Sequence, residues 1–357
     1  MTFRKLLIAN RGEIAIRIAR AAAGAGLESI ALYSEDDRDA LHVRKADGAV
    51  ALPGTGPRAY LDIAQVVAAA TRSGCDLVHP GYGLLSENAE FAQACLDAGL
   101  AFVGPAPDVL RLFGDKARAR ALARECGVPV VSGTTGPTTL EAAHAFFGSL
   151  QETGAGMMIK ALAGGGGRGM RAVRAAADID EAYARCVSEA TAAFGNGAVY
   201  VERIVRAPRH IEIQVLADAA GGVIALGERE CSLQRRHQKL VEVAPSPSLD
   251  DAMRARLAQA AVTLARASAY RGIGTFEFLV GSNGDFWFME ANPRLQVEHT
   301  VTEMVSGVDL VQAQLAIAAG KSLAQLGLEP PPAPRGIAVQ LRINAEHLDA
   351  QGQLRPA

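Results

Sequence analysis

Two glutamates and an asparagine set on facing strands carry the densest chemistry in this sequence. Residues 275–299 read Thr-Phe-Glu-Phe-Leu-Val, then Gly-Ser-Asn-Gly-Asp, then Phe-Trp-Phe-Met-Glu-Ala-Asn-Pro-Arg-Leu-Gln-Val-Glu-His. Asn283-Gly284 suits the two central positions of a type I′ turn, which need positive φ, and apolar runs flank it, so the segment predicts a β-hairpin. With the turn centred there, Glu277 faces Glu290, and the two-residue period of a strand places Asn292 on the face of Glu290. Like charges opposed at ~5 Å in an effective dielectric of ~20 repel by roughly 3 kcal/mol. A divalent cation between them reverses that cost, and an all-oxygen donor set selects Mg2+ or Mn2+ over Zn2+. The competing reading is a solvated hairpin edge. The further side chains Arg294, Gln296, Glu298 and His299 on the same segment favour the metal. A three-residue loop with a bulge would slip this register by one residue.

Two lysines, Lys116 and Lys160, and the loop Gly164-Gly-Gly-Gly-Arg-Gly169 add phosphate-binding chemistry. The loop contains G-x-G-x-x-G, but a strand-like run follows it where a dinucleotide fingerprint needs a helix, and no Gly-Lys-Ser/Thr is present. A β-hairpin that closes over phosphates through backbone N–H groups fits better than a plain surface turn. Lysines, glycine hairpin and metal site together describe a nucleoside triphosphate held between a lid and a platform. Arg235, Arg236, Lys239 and Arg294 exceed what a nucleotide needs and point to a second, anionic substrate beside the γ-phosphate, although a solvated basic surface accounts equally well for Arg235 and Arg236. His237 either contacts ribose or phosphate or caps a loop. Glu298 follows Arg294 and Gln296 at strand spacing, is expected to share their face, and is the candidate general base.

The elements that must position these groups follow from periodicity. Strands at 6–9, 29–33, 76–79 and 101–104 alternate with helices at 14–23, 63–71 and 89–98, which predicts a doubly wound parallel sheet over residues 1–115. A helix over 116–126 opens the second region, 116–329, whose lid spans about 130–203 and includes the strand Met157-Met-Ile-Lys and the return Met170-Arg-Ala-Val. Strands at 210–216 and 223–226, a helix at 251–268 and the metal hairpin complete the platform. After the stiff connector Pro330-Pro-Pro-Ala-Pro, Ile337, Val339, Leu341 and Ile343 alternate with Gln340, Arg342 and Asn344, predicting a strand with one buried apolar face and Arg342 on its polar face. No later segment is expected to pair with it, so 330–357 reads as the start of an incomplete C-terminal sheet. The fold class is therefore α/β and α+β.

The 357 residues are 49% hydrophobic and 21% charged with formal net charge −2, a globular composition with no general drive toward nucleic acid or an anionic membrane. No stretch suits a membrane span, and the N-terminus enters a strand without a cleavable signal, so a cytoplasmic location is expected. The five cysteines, Cys75, Cys95, Cys126, Cys186 and Cys231, lack C-x-x-C spacing and read as reduced thiols. Cys231, although flanked by charges, is read as a small buried hydrophobe and not as a reactive thiol.

Four motifs in order, His79-Pro-Gly-Tyr-Gly-Leu-Leu-Ser-Glu-Asn, Gly164-Gly-Gly-Gly-Arg-Gly-Met, Gln234-Arg-Arg-His-Gln-Lys and Glu290-Ala-Asn-Pro-Arg-Leu-Gln-Val-Glu-His, after the start Ile8-Ala-Asn-Arg-Gly-Glu-Ile-Ala, resemble the biotin carboxylase component of biotin-dependent acyl-CoA and pyruvate carboxylases. The resemblance runs the length of the chain. It implies the ATP-grasp fold and a reaction in which ATP and bicarbonate form carboxyphosphate, whose CO2 passes to a ureido nitrogen of biotin. By matching motif it implies that Lys116, Lys160, Gly166, Gly167, His210, Gln234 and His237 contact ATP, and that Glu202, Arg203, Ile204 and Val205 line the adenine. It assigns the metals to Glu277, Glu290 and Asn292, bicarbonate to Lys239, Arg294 and Val297, proton removal to Glu298, the biotin enolate to Arg342, and the ureido ring to Tyr82 and Gly83. The family continues for roughly ninety residues beyond the strand of Arg342, and no biotinylation motif is present. Biotin is therefore expected on a carrier protein or domain, with a carboxyltransferase as second partner and a homodimer contact weakened by the missing segment. Another ATP-grasp ligase, making carbamoyl phosphate or a purine-pathway carboxylate, shares the phosphate and metal parts but does not require Arg342 or the His79 segment. A folded, inactive nucleotide-binding module is the alternative from a different class.

Overall fold

The computed structural model describes residues 3–151, 154–162, 169–235, 237–349, 351 and 353–356. Gly166, Gly167 and Arg236 lie outside the described residues. The first layer forms because short apolar strands alternate with helices that carry one apolar stripe. These are β1 (Lys5–Ile8), α1 (Gly12–Gly24), β2 (Glu28–Tyr33), α2 (Leu41–Lys45), β3 (Gly48–Ala51), α3 (Ile63–Arg72), β4 (Leu77–His79), α4 (Ala89–Asp97) and β5 (Ala101–Phe102). All pair in parallel, in the order β3-β2-β1-β4-β5. Ile14, Ile18 and Ala21 of α1 are buried at helical spacing. Asp62 and Asn88 cap α3 and α4 by accepting the backbone N–H of Gln65 and Phe91. Strand β3 and helix α2 escape a periodicity reading, because β3 is four small residues on the sheet edge. The strand order reverses between β1 and β4, where a doubly wound sheet opens its ligand crevice. Asn10 follows β1 there and donates to the carbonyls of Pro80 (2.7 Å) and Tyr82 (2.9 Å), fixing the turn after β4. Gly81 in that turn has φ +65°, and a Cβ on it would lie 2.8 Å from the Asn10 amide.

Helix α5 (Pro107–Gly114) leads into α6 (Lys116–Glu125), whose cap Asp115 accepts from Ala117 and Arg118 N–H and so sets Lys116 in the first turn. The lid contains α7 (Leu140–Ser149), β6 (Met157–Ala161), β7 (Met170–Val173), α8 (Ile179–Phe194) and β8 (Val199–Arg203). Its antiparallel sheet runs β7-β6-β8. The sequence reading lacked α7, α8 and β8. Met157, Ile159, Val173, Ile179, Cys186 and Val201 form the lid's own core.

The platform is a six-stranded sheet, order β13-β12-β9-β10-β11-β14, from β9 (Arg209–Ala217), β10 (Val223–Arg235), β11 (Gln238–Ala244), β12 (Gly272–Val280), β13 (Phe286–Asn292) and β14 (Ala338–Leu341). Helix α9 (Asp251–Ala267) covers one face, where Ile211, Ile213, Phe276, Phe278 and Phe288 pack with Leu257 and Leu264. Alternation then sends His210, Glu212, Gln214, Thr275 and Glu277 to the other face. Helices α10 (His299–Ser306) and α11 (Leu310–Ala318) follow β13, and β15 (Glu346–Leu348) pairs with β16 (Leu354–Pro356).

Two expectations are corrected here. The hairpin turn is a three-residue loop, Ser282-Asn283-Gly284, closed by Gly281 N–H on Asp285 O (2.9 Å) with Gly284 at φ +79°. The strand before Arg342 finds its partner earlier in the chain, β14 pairing antiparallel with β11, Val241 opposite Leu341 and Glu242 opposite Gln340. Its apolar face is not buried, since Ile337, Val339, Leu341 and Ile343 are 72, 56, 63 and 92% exposed. Backbone pairing to the sheet edge and polar contacts on the other face, Thr300 with Gln340 and Arg342 with Glu242 and Glu298, hold this strand, and not burial of its apolar residues.

Candidate active site

The β12–β13 hairpin places its carboxylates by two compensating irregularities. Near the loop, Val280 pairs with Phe286 and Phe278 with Phe288, but Glu277 pairs with Glu290 and Thr275 with Asn292. Met289 is the extra residue, a β-bulge that shifts the register back by one. Without it, strict alternation from the buried Phe286 and Phe288 would turn Glu290 and Asn292 into the core. With it, they share the site face with Glu277.

Lys239 is the centre of the site. Its Nζ donates to Glu212 Oε2 (2.5 Å), Glu298 Oε1 (2.8 Å) and Glu277 Oε1 (3.0 Å). Burial works against the ammonium, but the three carboxylates outweigh it and raise the lysine pKa well above its ordinary value. Glu277 also accepts from His210 Nε2 (2.6 Å) and Asn292 Nδ2 (2.7 Å). Burial alone would raise the Glu277 pKa, yet Lys239 and His210 hold it well below the carboxylate range. His210 is correspondingly raised by Glu277 against its own burial, and its Nδ1 meets Gln234 Nε2 at 2.7 Å. Donor atoms of His210, Glu212 and Glu277 lie within 4.8 Å of one another, as do those of Glu212, Cys231 and Glu298. Those two groups include His210 and Cys231, so the better fit for Mg2+ or Mn2+ is the opposed pair Glu277 and Glu290 with Asn292, an all-oxygen set.

On the phosphate side, Lys116 Nζ lies 3.2 Å from Glu290 Oε2. Burial is the largest single effect on its pKa and lowers it, but the Glu290 charge, Tyr200 and the hydrogen bond to Glu290 together raise it above the ordinary value, so the group stays cationic. Lys160 on β6 pairs with Glu202 on β8, and Arg120 Nη1 donates to the same carboxylate at 2.7 Å. Arg203 stacks 5.7 Å from the Trp287 ring, and Ile204 N–H bonds Gly156 O at 2.8 Å, joining the lid strands at the β8 exit where Val205 is half-buried.

On the far side, Arg342 Nε donates to Glu242 Oε1 (2.6 Å) and Nη2 to Glu298 Oε2 (2.8 Å). Arg294 donates to Asn292 Oδ1 and Gln296 Oε1, both at 3.2 Å, and lies 3.3 Å from Glu87. Tyr82 bonds Glu13 through its hydroxyl, which burial and that carboxylate push up in pKa.

Glu298 does not continue a strand. The strand ends at Asn292, and Glu298 is the cap of α10, with φ −81° and ψ 11°. It still reaches Lys239, because Val297 and Glu298 form the turn into that helix. His237 and Gly83 stay exposed, and Arg235 is held by Glu346 at 2.8 Å, the solvated reading of that arginine. Cys231 is buried and its thiol pushed well up by burial, as a structural cysteine. Sequence reasoning missed Glu212, Glu242, Arg229 and Arg120. The period-2 pattern His210-Ile-Glu-Ile-Gln could have flagged Glu212 as a neighbour of His210.

Residues 2–110 match the family described as biotin carboxylase, N-terminal domain, and residues 115–326 match carbamoyl-phosphate synthase L chain, ATP binding domain. The chain is 49% identical over 358 residues to the biotin carboxylase of Nostoc sp., covering 100% of this chain and 79% of that protein. It is 50% identical over 347 residues to the mitochondrial pyruvate carboxylase of Homo sapiens, covering 96% of this chain but spanning only 29% of that protein's length. Among solved structures, the biotin carboxylase β-γ-ATP complex from Campylobacter jejuni matches with TM-score 0.92 at 43% identity, over 98% of this chain and 77% of that one. The biotin carboxylase domain dimer of Hydrogenobacter thermophilus 2-oxoglutarate carboxylase, with MgADP, ADP and bicarbonate, matches with TM-score 0.90 at 42% identity, over 97% and 76%.

Proposed function

Because the chain belongs to the biotin carboxylase family, we propose that it carboxylates biotin in an ATP- and bicarbonate-dependent reaction through carboxyphosphate. The observation that carries this reading is Lys239, which touches both Glu277 of the hairpin and Glu298, while Arg342 touches the other oxygen of Glu298. One cation-linked row thus runs from the phosphate side to the biotin side.

Lys116, Lys160 and the loop of Gly166 and Gly167 bind the ATP phosphates, with His210, Gln234 and His237 alongside and Glu202 to Val205 at the adenine. Glu277, Glu290 and Asn292 hold Mg2+ or Mn2+, which when bound neutralises phosphate charge. Lys239, Arg294 and Val297 hold bicarbonate, and Glu298 takes its proton so that an oxygen attacks the γ-phosphorus and ADP leaves. Carboxyphosphate then releases CO2 and phosphate. A ureido nitrogen of biotin, near Tyr82 and Gly83, gives its proton to the released phosphate and attacks CO2, with Arg342 stabilising the enolate form. The division is 1–115, 116–329 with its lid, and 330–357 as the opening of a C-terminal portion. Biotin arrives on a carrier protein or domain, a carboxyltransferase uses the product, and a homodimer and a cytoplasmic setting complete the reading. Among the described residues no helix is long and apolar enough to cross a membrane.

An acetyl-CoA/propionyl-CoA-type acceptor is the finer reading, and pyruvate, named in several relatives, is the arm to test it against. The decisive assay is ADP release from MgATP with bicarbonate, with and without free biotin. ATP binding with no response to either would favour an inactive nucleotide-binding module.

A further inference from the structure

We infer that Arg229 is a positioning residue for this reaction: it braces Glu212 against Lys239 and ties the helix that carries Glu298 to the platform, fixing lysine and base in one geometry. The inference rests on the function proposed above.

Arg229 is 0% exposed, so it meets no substrate. Its guanidinium is used on all three nitrogens. Nε donates to Glu212 Oε1 (2.5 Å), Nη1 to Gln214 Oε1 (2.9 Å) and Thr302 Oγ1 (2.8 Å), and Nη2 to Thr275 Oγ1 (3.1 Å). These partners sit on β9, β12 and α10. The second oxygen of Glu212 receives Lys239. Thr302 follows Glu298 by one helical turn, and Glu298 also receives Lys239. The contacts therefore close a ring, from Arg229 through Glu212, Lys239, Glu298 and α10 to Thr302 and back to Arg229.

A ring of this kind fixes each member from two sides. Glu212 cannot rotate off Lys239 without breaking its bond to Arg229, and α10 cannot slide along the sheet without leaving Thr302 unpaired in a buried site. Only a planar guanidinium spans these partners, since a lysine ammonium is a point charge on a flexible stem. Arg229 also supplies charge where Glu212, Glu277 and Glu298 outnumber Lys239, and unpaired buried carboxylates are costly.

The test uses the full chain with two variants, Arg229→Lys and the near-isosteric Thr302→Val. In Arg229→Lys, bicarbonate KM rises and kcat falls, together about 100-fold in kcat/KM as expected for a misplacement of ~1 Å, while MgATP KM stays within about twofold. In Thr302→Val, which loosens only the helix, kcat falls about tenfold and bicarbonate KM holds, because the base and not the lysine is disturbed. Parameters per folded molecule equal to wild type in either variant would overturn the inference. If Arg229→Lys does not fold, Thr302→Val decides alone by the same criterion. A crystal structure of each folded variant separates this from the assigned reaction: were wild type to show no bicarbonate-dependent turnover, the proposed function would fall, while Lys239 still at hydrogen-bond distance from both Glu212 and Glu298 in Arg229→Lys would sink the positioning role by itself.

Discussion

Arg342 Nη2 and Lys239 Nζ grip opposite oxygens of Glu298, each at 2.8 Å. The arginine assigned to biotin thus touches the carboxylate assigned to bicarbonate, although one residue directly follows an edge strand and the other caps a helix. Glu242, fully buried, takes the arginine's Nε at 2.6 Å, and burial raises its pKa despite that pairing. Arg342 is consequently oriented by two carboxylates before any substrate arrives.

Arg342→Ala should keep bicarbonate-dependent ATP cleavage, because Glu298 retains Lys239, and should lose carboxylation of biotin. Glu298→Ala should lose both, by on the order of 100-fold or more, as removal of a general base does. Parallel ADP-release and carboxybiotin assays check this, and identical behaviour of the two variants would show the division of roles to be wrong.

Glu290→Gln should abolish Mg2+-dependent ATP hydrolysis while the chain stays folded. The substitution relieves repulsion with Glu277 but removes a metal ligand and the counter-charge 3.2 Å from Lys116. Turnover unchanged at saturating Mg2+, with an unchanged unfolding transition, would count against the metal assignment.

His79 gives a pH dependence of stability with a definite sign. It is fully buried, Gly81 N–H bonds its Nδ1 at 3.0 Å, and burial depresses its pKa from 6.5 to about 3. Above the unfolded value neither state binds the proton. Below it the unfolded chain does and the folded one does not, so stability is lost as pH falls from 6.5 toward 3. The limiting slope is about 1.4 kcal/mol per pH unit. Urea unfolding of wild type and His79→Gln should show the variant losing about 2 kcal/mol less between pH 6 and pH 4. Parallel pH profiles would refute it.

The exposed apolar stripe in and around β14, Ile337 to Ile343, should contribute little to stability. Ile343→Ser and Val339→Thr, at 92 and 56% exposure, are expected to shift unfolding free energy by no more than about 0.5 kcal/mol. A loss above about 2 kcal/mol would mean that the stripe is covered in solution, since that is the range for a buried aliphatic side chain. Chemical denaturation at several protein concentrations distinguishes the two.

The sequence alone determined the local parts of this protein, because helix stripes, caps and strand runs depend on near neighbours. The alternating βα region, the placement of Lys116 at the head of a helix, the lid strands around the glycine loop and the opposition of Glu277 and Glu290 were all legible. Even so, that opposition was reached through a two-residue turn that does not form. The three-residue loop displaces the register by one and the bulge at Met289 restores it, and no local propensity reveals a pair of shifts that cancel. Tertiary structure decided the rest. Glu298 caps α10 and reaches Lys239 from a helix, because its place depends on how α10 lies on the sheet and not on strand spacing. Glu212, Arg229 and Glu242 come from three different strands, and each is tolerable in the interior because of a partner far away in the chain, Glu212 and Arg229 pairing with each other and Glu242 with Arg342. A buried charge is intelligible only with its partners, and here strand pairing across distant parts of the chain supplies them.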